Sequence, residues 1–292
     1  MEISIMSQDD SKRKKEQNGI SEHPKLPAFK VTPRNTPEVI DYHLTSSDGV
    51  HWEKRPGLLS AIICGTKPED SDPAIHAIID PIVKKVVSEN DNQLSQKLHD
   101  CTHKLHGVKY HLETIQKEVA KRVEEFQKDY SAGSGVSTEI KNPRLVYETE
   151  AFLYQVKSSL DLLVQVLGSR IPPLASTPTF KKKPVDGVKH AGGAVIDALS
   201  KNGFPALAEL FEKYRSQWIQ KLVDMRDTAT HYSQLKGFHC FIEEPFLGKG
   251  QITIHFPSMP TGERVDTYCE ETYKNLLDLY NTVLNMIPDR KK

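Results

Sequence analysis

Toward the end of a strongly apolar helical stretch the chain reads Arg226-Asp227-Thr228-Ala229-Thr230-His231-Tyr232. An arginine and a histidine separated by four residues have complementary uses on RNA. The guanidinium holds a phosphate through a rigid fork and keeps its charge at any working pH. The imidazole takes or gives a proton near neutrality. Together they suit attack of a ribose 2′-hydroxyl on its own 3′-phosphate. His231 would handle the proton, and Arg226 would offset charge on the pentacoordinate phosphorus. That chemistry calls for no metal and no other cofactor. Asp227 would orient Arg226 or the RNA, and Tyr232 would touch a base or a phosphate. The same residues also have a purely structural use, because a cation near a helix C-terminus meets the helix dipole favourably.

The spacing sets a geometric condition. Positions five apart on an ideal helix lie about 140° from each other around the axis. Arg226 and His231 therefore do not sit side by side on a straight helix. Either the helix bends or ends between them, or the long arginine closes the gap, or the site is completed across a dimer interface.

Other chemistry-bearing residues lead less far. His99, His103 and His106 share one face of a predicted helix, with His111 beyond, and that spacing can hold a metal only with ligands from other elements. The alternative is a wet or inter-helix polar stripe. Gly133-Ser134-Gly135 and Gly192-Gly193 lack the strand–loop–helix context and the lysine of a phosphate loop. There is no Gly-x-Ser-x-Gly elbow and no His-Glu-x-x-His pair. The cysteines Cys64, Cys101, Cys240 and Cys269 form no CxxC pair, which argues against structural zinc. Lys181, Lys182 and Lys183 stand in a loop over 170–189, where they would guide an RNA backbone or simply be solvated.

These residues need elements to position them, and helical periodicity supplies most of those elements. Leu94, Leu98, Cys101, Leu105, Val108, Leu112, Ile115 and Val119 alternate steps of four and three, which predicts a long helix over 93–130 with a heptad-like seam. A second helix is expected over 144–168, with Phe152, Leu153, Val156, Leu160, Leu163, Val164 and Leu167 on one side. The short break between the two implies antiparallel neighbours. A short helix is expected near 190–200, and Pro205 opens another whose face holds Leu207, Leu210, Phe211, Tyr214, Trp218, Ile219, Leu222 and Val223. Residues 238–242 and 251–256 resemble two strands around Gly248-Lys249-Gly250. The last helix is expected over 264–287. Ala74–Val87 has helical spacing but is interrupted by Pro81.

The fold class that follows is mainly α: an up-and-down helical bundle with a small β-hairpin inserted before the last helix. Residues 1–37 read as a disordered polar tail, and 38–92 as an N-terminal segment of unclear structure.

Composition bounds the remaining choices. The 292 residues hold 39 Lys plus Arg and 39 Asp plus Glu, so bulk charge does not coat the chain in nucleic acid. Any polyanion site has to come from local placement of cations. No stretch approaches the ~18–20 apolar residues of a membrane span, and the polar N-terminus lacks the apolar centre of a secretory signal. The expectation is a cytoplasmic protein with no membrane partner.

The Arg-Asp-x-x-x-His pattern near a helix end, with the upstream helix from Tyr147-Glu148-Thr149-Glu150-Ala151-Phe152-Leu153 through Ser159-Leu160-Asp161, resembles the HEPN superfamily. The resemblance covers roughly 93–288, read as a HEPN-like helical domain. It implies a metal-independent endoribonuclease of a toxin, phage-defence or RNA-turnover system. It also implies a homodimer with two Arg226/His231 motifs facing one cleft, and an antitoxin or defence-system protein as a further partner. The second reading is a non-catalytic helical dimerisation or interaction module, in which the same residues serve packing.

Overall fold

The computed structural model describes residues 72–129, 140–141, 143–177, 179–185, 188–231, 235, 238–243 and 253–289. The predicted tail, the Ser131–Gly135 break, Tyr232 and the Gly248 turn lie outside them, as do the side chains of His231 and of most hairpin residues.

Helix α1 spans Pro73–Ser88 and α2 spans Asn92–Asp129. Asp72 caps α1, its Oδ1 accepting from Ala74 N at 2.8 Å, and Pro73 follows where a missing N–H costs least. The expected interruption at Pro81 is not found, because α1 runs through it. A proline inside a helix costs about 3 kcal/mol. Burial of Ile75 and Ile79 before it and Val86 after it offsets that, at roughly 1.5–3 kcal/mol for each fully buried side chain.

Every residue of the predicted α2 seam, from Leu94 to Val119, is buried. With 38 residues α2 is about 57 Å long. Helix α3, Pro143–Gly168, runs antiparallel to it: His111 meets Glu148, Gly107 meets Gln155, and Lys97 meets Gln165. Gly107, which counts against helix propensity, lies against the Gln155 side chain, where a Cβ would make ordinary contact at 3.4 Å.

After a 3₁₀ turn, Pro172–Ser176, come short antiparallel strands that the sequence reading missed, β2 (Lys183–Val185) and β3 (Val188–His190). Helix α4 is Gly193–Lys201 and α5 is Pro205–Tyr214. A π-helical stretch, Arg215–Ile219, continues α5 without a break into α6, Gln220–His231. Strands β4 (His239–Glu243) and β5 (Thr253–His255) form the hairpin before the last helix, α7 (Val265–Asn285). A further strand, β1 (Ile140–Lys141), adds antiparallel to β4, with Ile140 opposite Cys240, giving the order β1-β4-β5.

The architecture is thus mainly α, with the hairpin ahead of the final helix. Helix α7 locks the bundle centrally: the buried Tyr280 hydroxyl donates to Ser159 O of α3 at 2.7 Å, and the Tyr273 hydroxyl donates to Asp72 Oδ2 at 2.6 Å. No helix among the described residues is long and apolar enough to cross a membrane.

Candidate functional site

Arg226 and Asp227 stand on α6, whose buried side is Leu222, Val223 and Met225. The helix reverts to polar residues here, so both side chains lie at the half-exposed margin where α6 meets α3. Arg226 Nη1 donates to Asp227 Oδ1 at 2.8 Å, and the guanidinium stacks 5.5 Å from the Tyr154 ring centroid. The Tyr154 hydroxyl is 2.7 Å from Thr230 Oγ1, one turn on from Arg226. Arg226 Nε is buried and has no hydrogen-bond partner among the described residues. That donor is costly to leave unmet.

Asp227 divides its oxygens between two cations. Its Oδ1 takes Arg226, and its Oδ2 lies 2.9 Å from Lys182 Nζ. Burial works to raise the Asp227 pKa, but hydrogen bonds and charge from Lys182 and Arg226 prevail and hold it below the usual carboxylate value. Lys182 also donates to Asp224 Oδ1 at 2.7 Å. Burial works against its charge, yet the two aspartates hold its pKa above that of an ordinary lysine.

The segment that carries Lys182 is fixed in turn. Phe180 is fully buried against Phe211, with ring centroids 5.7 Å apart, and Phe180 N donates to Asp161 Oδ1 at 2.6 Å. Gly192 has φ +66°, and a Cβ there would stand 2.1 Å from Phe180 Cζ. Only glycine lets the Phe180 ring close over this turn.

The three lysines expected to guide RNA take different roles. Lys182 joins the Asp227 network, Lys183 Nζ donates to Asp197 Oδ2 at 2.7 Å, and Lys181 is exposed. His231 is the last residue of α6, and the helix continues unbroken from Arg226 to it. The two positions therefore keep the angular separation of about 140°.

Beside Arg226 opens a pocket of about 330 Å³ lined by Lys104 of α2, Tyr154, Gln155, Lys157, Ser158 and Asp161 of α3, and Arg226 itself. Asp161 is satisfied within this group: Lys157 Nζ donates to its Oδ1 and Oδ2 at 2.6 and 2.8 Å. None of the α2 and α3 residues stood out in the sequence as chemistry. The signal available was the polar recurrence Tyr154, Lys157–Ser158, Asp161 opposite the apolar stripe of α3. Lys104 had no such signal.

Two of the α2 histidines, His106 and His111, serve inter-helix contacts, whereas His103 is exposed. The His106 ring lies 5.5 Å from that of His76 on α1, and His76 Nδ1 is 3.4 Å from Asp80 Oδ1. Burial, then the neighbouring His76, lowers the His106 pKa, against an opposing pull from Asp72. His111 pairs instead with Glu148 at 2.8 Å. Among the described residues no group of three or more His, Cys, Asp or Glu side chains is arranged to hold a metal. Compared with known proteins, the chain matches no family model, no curated protein and no solved structure.

Proposed function

We propose that the chain is an endoribonuclease of the HEPN type, cleaving RNA by attack of the 2′-hydroxyl on the adjacent phosphate. The observation that carries this reading is Arg226. It is held by Asp227 through one terminal nitrogen, stacked on Tyr154, and lines a pocket shared with Lys104 and Lys157, on the helix that ends in His231. Its role is to bind the scissile phosphate and offset the growing charge, and that of His231 is to move the proton. Asp227 fixes the Arg226 fork. The chemistry needs no metal: His231 takes the 2′-hydroxyl proton, the P–O5′ bond breaks as the 2′,3′-cyclic phosphate forms, and the same proton passes to the departing 5′-oxygen while Arg226 offsets the charge.

The 140° separation along an unbroken α6 favours a two-fold homodimer in which Arg226 of one protomer and His231 of the other act on one phosphate. A toxin, phage-defence or RNA-turnover role, with an antitoxin or defence-system partner, follows from the same reading.

The test is incubation of the purified chain with mixed RNA in excess chelator, beside Arg226→Ala and His231→Ala. Expected is cleavage that persists in chelator, leaves a 2′,3′-cyclic phosphate, and falls by about 10²–10⁴-fold in either variant. Mixing the two variants restores activity if the site is shared between protomers. Cleavage lost in chelator and regained with magnesium would sink the mechanism. A lower melting temperature with unchanged activity per folded molecule would assign the motif to packing instead.

A further inference from the structure

We infer that the pocket beside Arg226 is a second phosphate subsite for a single RNA strand, with Lys104 and Ser158 as its donors; the inference rests on the RNA reading above. Of the pocket's two charged groups on α3, Asp161 is filled by Lys157 and by Phe180 N, so that pair is neutral and already satisfied. Tyr154 spends its hydroxyl on Thr230. What remains is mostly donors. Among the described residues, Lys104 Nζ and Ser158 Oγ have no partner, and neither has the buried Arg226 Nε. A single buried acceptor, Gln155 Oε1, is also unmatched. Unpaired donors and a free ammonium at one opening select an anion rich in acceptor oxygens.

The placement selects a strand over a free ion. Lys104 comes from α2, Ser158 from α3 and Arg226 from α6, so the donors at this open pocket come from three different helices. Its 330 Å³ is at the small end of the range for ligand pockets, ~300–1,000 Å³, which suits one sugar-phosphate unit. With the scissile phosphate under Arg226, the neighbouring phosphate falls to Lys104 and Ser158.

The experiment uses the full chain and a fluorescent 2′-O-methyl oligonucleotide, which binds but lacks the attacking hydroxyl. Affinity is read by anisotropy between 50 and 200 mM salt. Lys104→Met, which keeps the aliphatic stem, should bind about tenfold more weakly. It should also lower the slope of log affinity against log salt by about 0.7, one contact's worth on a single strand. Lys104→Arg should keep the slope, and Ser158→Ala should weaken binding without changing it. A folded Lys104→Met with unaltered affinity and slope overturns the subsite, as does full displacement of the oligonucleotide by millimolar inorganic phosphate at constant ionic strength. Cleavage of all-ribose RNA is scored separately. Binding that depends on Lys104 in a chain that never cleaves upholds the subsite and removes the endonuclease reading. Cleavage with binding indifferent to Lys104 removes the subsite alone.

Discussion

Replacing Gly192 with alanine tests how the site's supporting segment is held. Two costs add there. At φ +66° an L-residue is strained by about 1 kcal/mol. The new methyl would also lie 2.1, 2.3 and 2.6 Å from three Phe180 ring atoms, so the ring or the turn has to move. Phe180 is fully buried against Phe211 and its N–H is tied to Asp161, so neither moves freely, and such overpacking costs ~1–3 kcal/mol. The sum is about 2–4 kcal/mol. For a chain of this size that lowers the melting temperature by about 3–7 °C. Gly203→Ala is the internal control. It shares the strain, at φ +84°, but has nothing within 4 Å of the new methyl, so about 2 °C is expected. Thermal unfolding by circular dichroism of both variants, and of Gly192→Ala combined with Phe180→Leu, separates the two costs. The double variant should recover part of the loss, because the smaller side chain makes room. Equal melting temperatures for Gly192→Ala and Gly203→Ala would refute the packing argument. Because Phe180 stands two residues before Lys182, Gly192→Ala should also weaken the hold on Asp227 and, on the proposed function, lower RNA cleavage at temperatures where the protein stays folded.

Two further outcomes concern pH. Asp227 has a depressed folded pKa, so its contribution to stability is present above the unfolded value of about 3.9 and is lost as pH falls through the folded one. The melting-temperature gap between wild type and Asp227→Asn should be full at pH 6 and close with acidification; a gap that widens in acid refutes the assignment. His106 also has a depressed folded pKa, through burial and His76. Its contribution is therefore present above about pH 6.5 and is lost below, as the ring must charge. His106→Asn should flatten the acid side of the stability profile below about pH 6.5, and an unchanged profile would show that burial of His106 against His76 does not oppose its charging.

Much of the helical scaffold was legible in the linear chain because it obeys local rules. The seam from Leu94 to Val119 repeats at helical spacing, and that repeat is itself the buried face. Pro205 and the apolar positions after it marked the start of the rod that carries Arg226, and the hairpin before α7 declared itself through alternation around glycines. The Arg226/His231 pair was visible as types and spacing. Its surroundings were not, because they join residues far apart in sequence. Lys104, Tyr154 and Arg226 meet only once α2, α3 and α6 pack together. Lys182 reaches Asp227 only once Phe180 is buried and Gly192 has turned the chain. The pairing of Ile140 with Cys240 joins strands on either side of four helices. Pro81 marks the opposite limit: the local rule predicted an interruption, and the apolar burial of Ile75, Ile79 and Val86 outweighed it. Periodicity names the face a helix buries, whereas the partner of a polar side chain is set by distance across the fold, which tertiary packing alone decides.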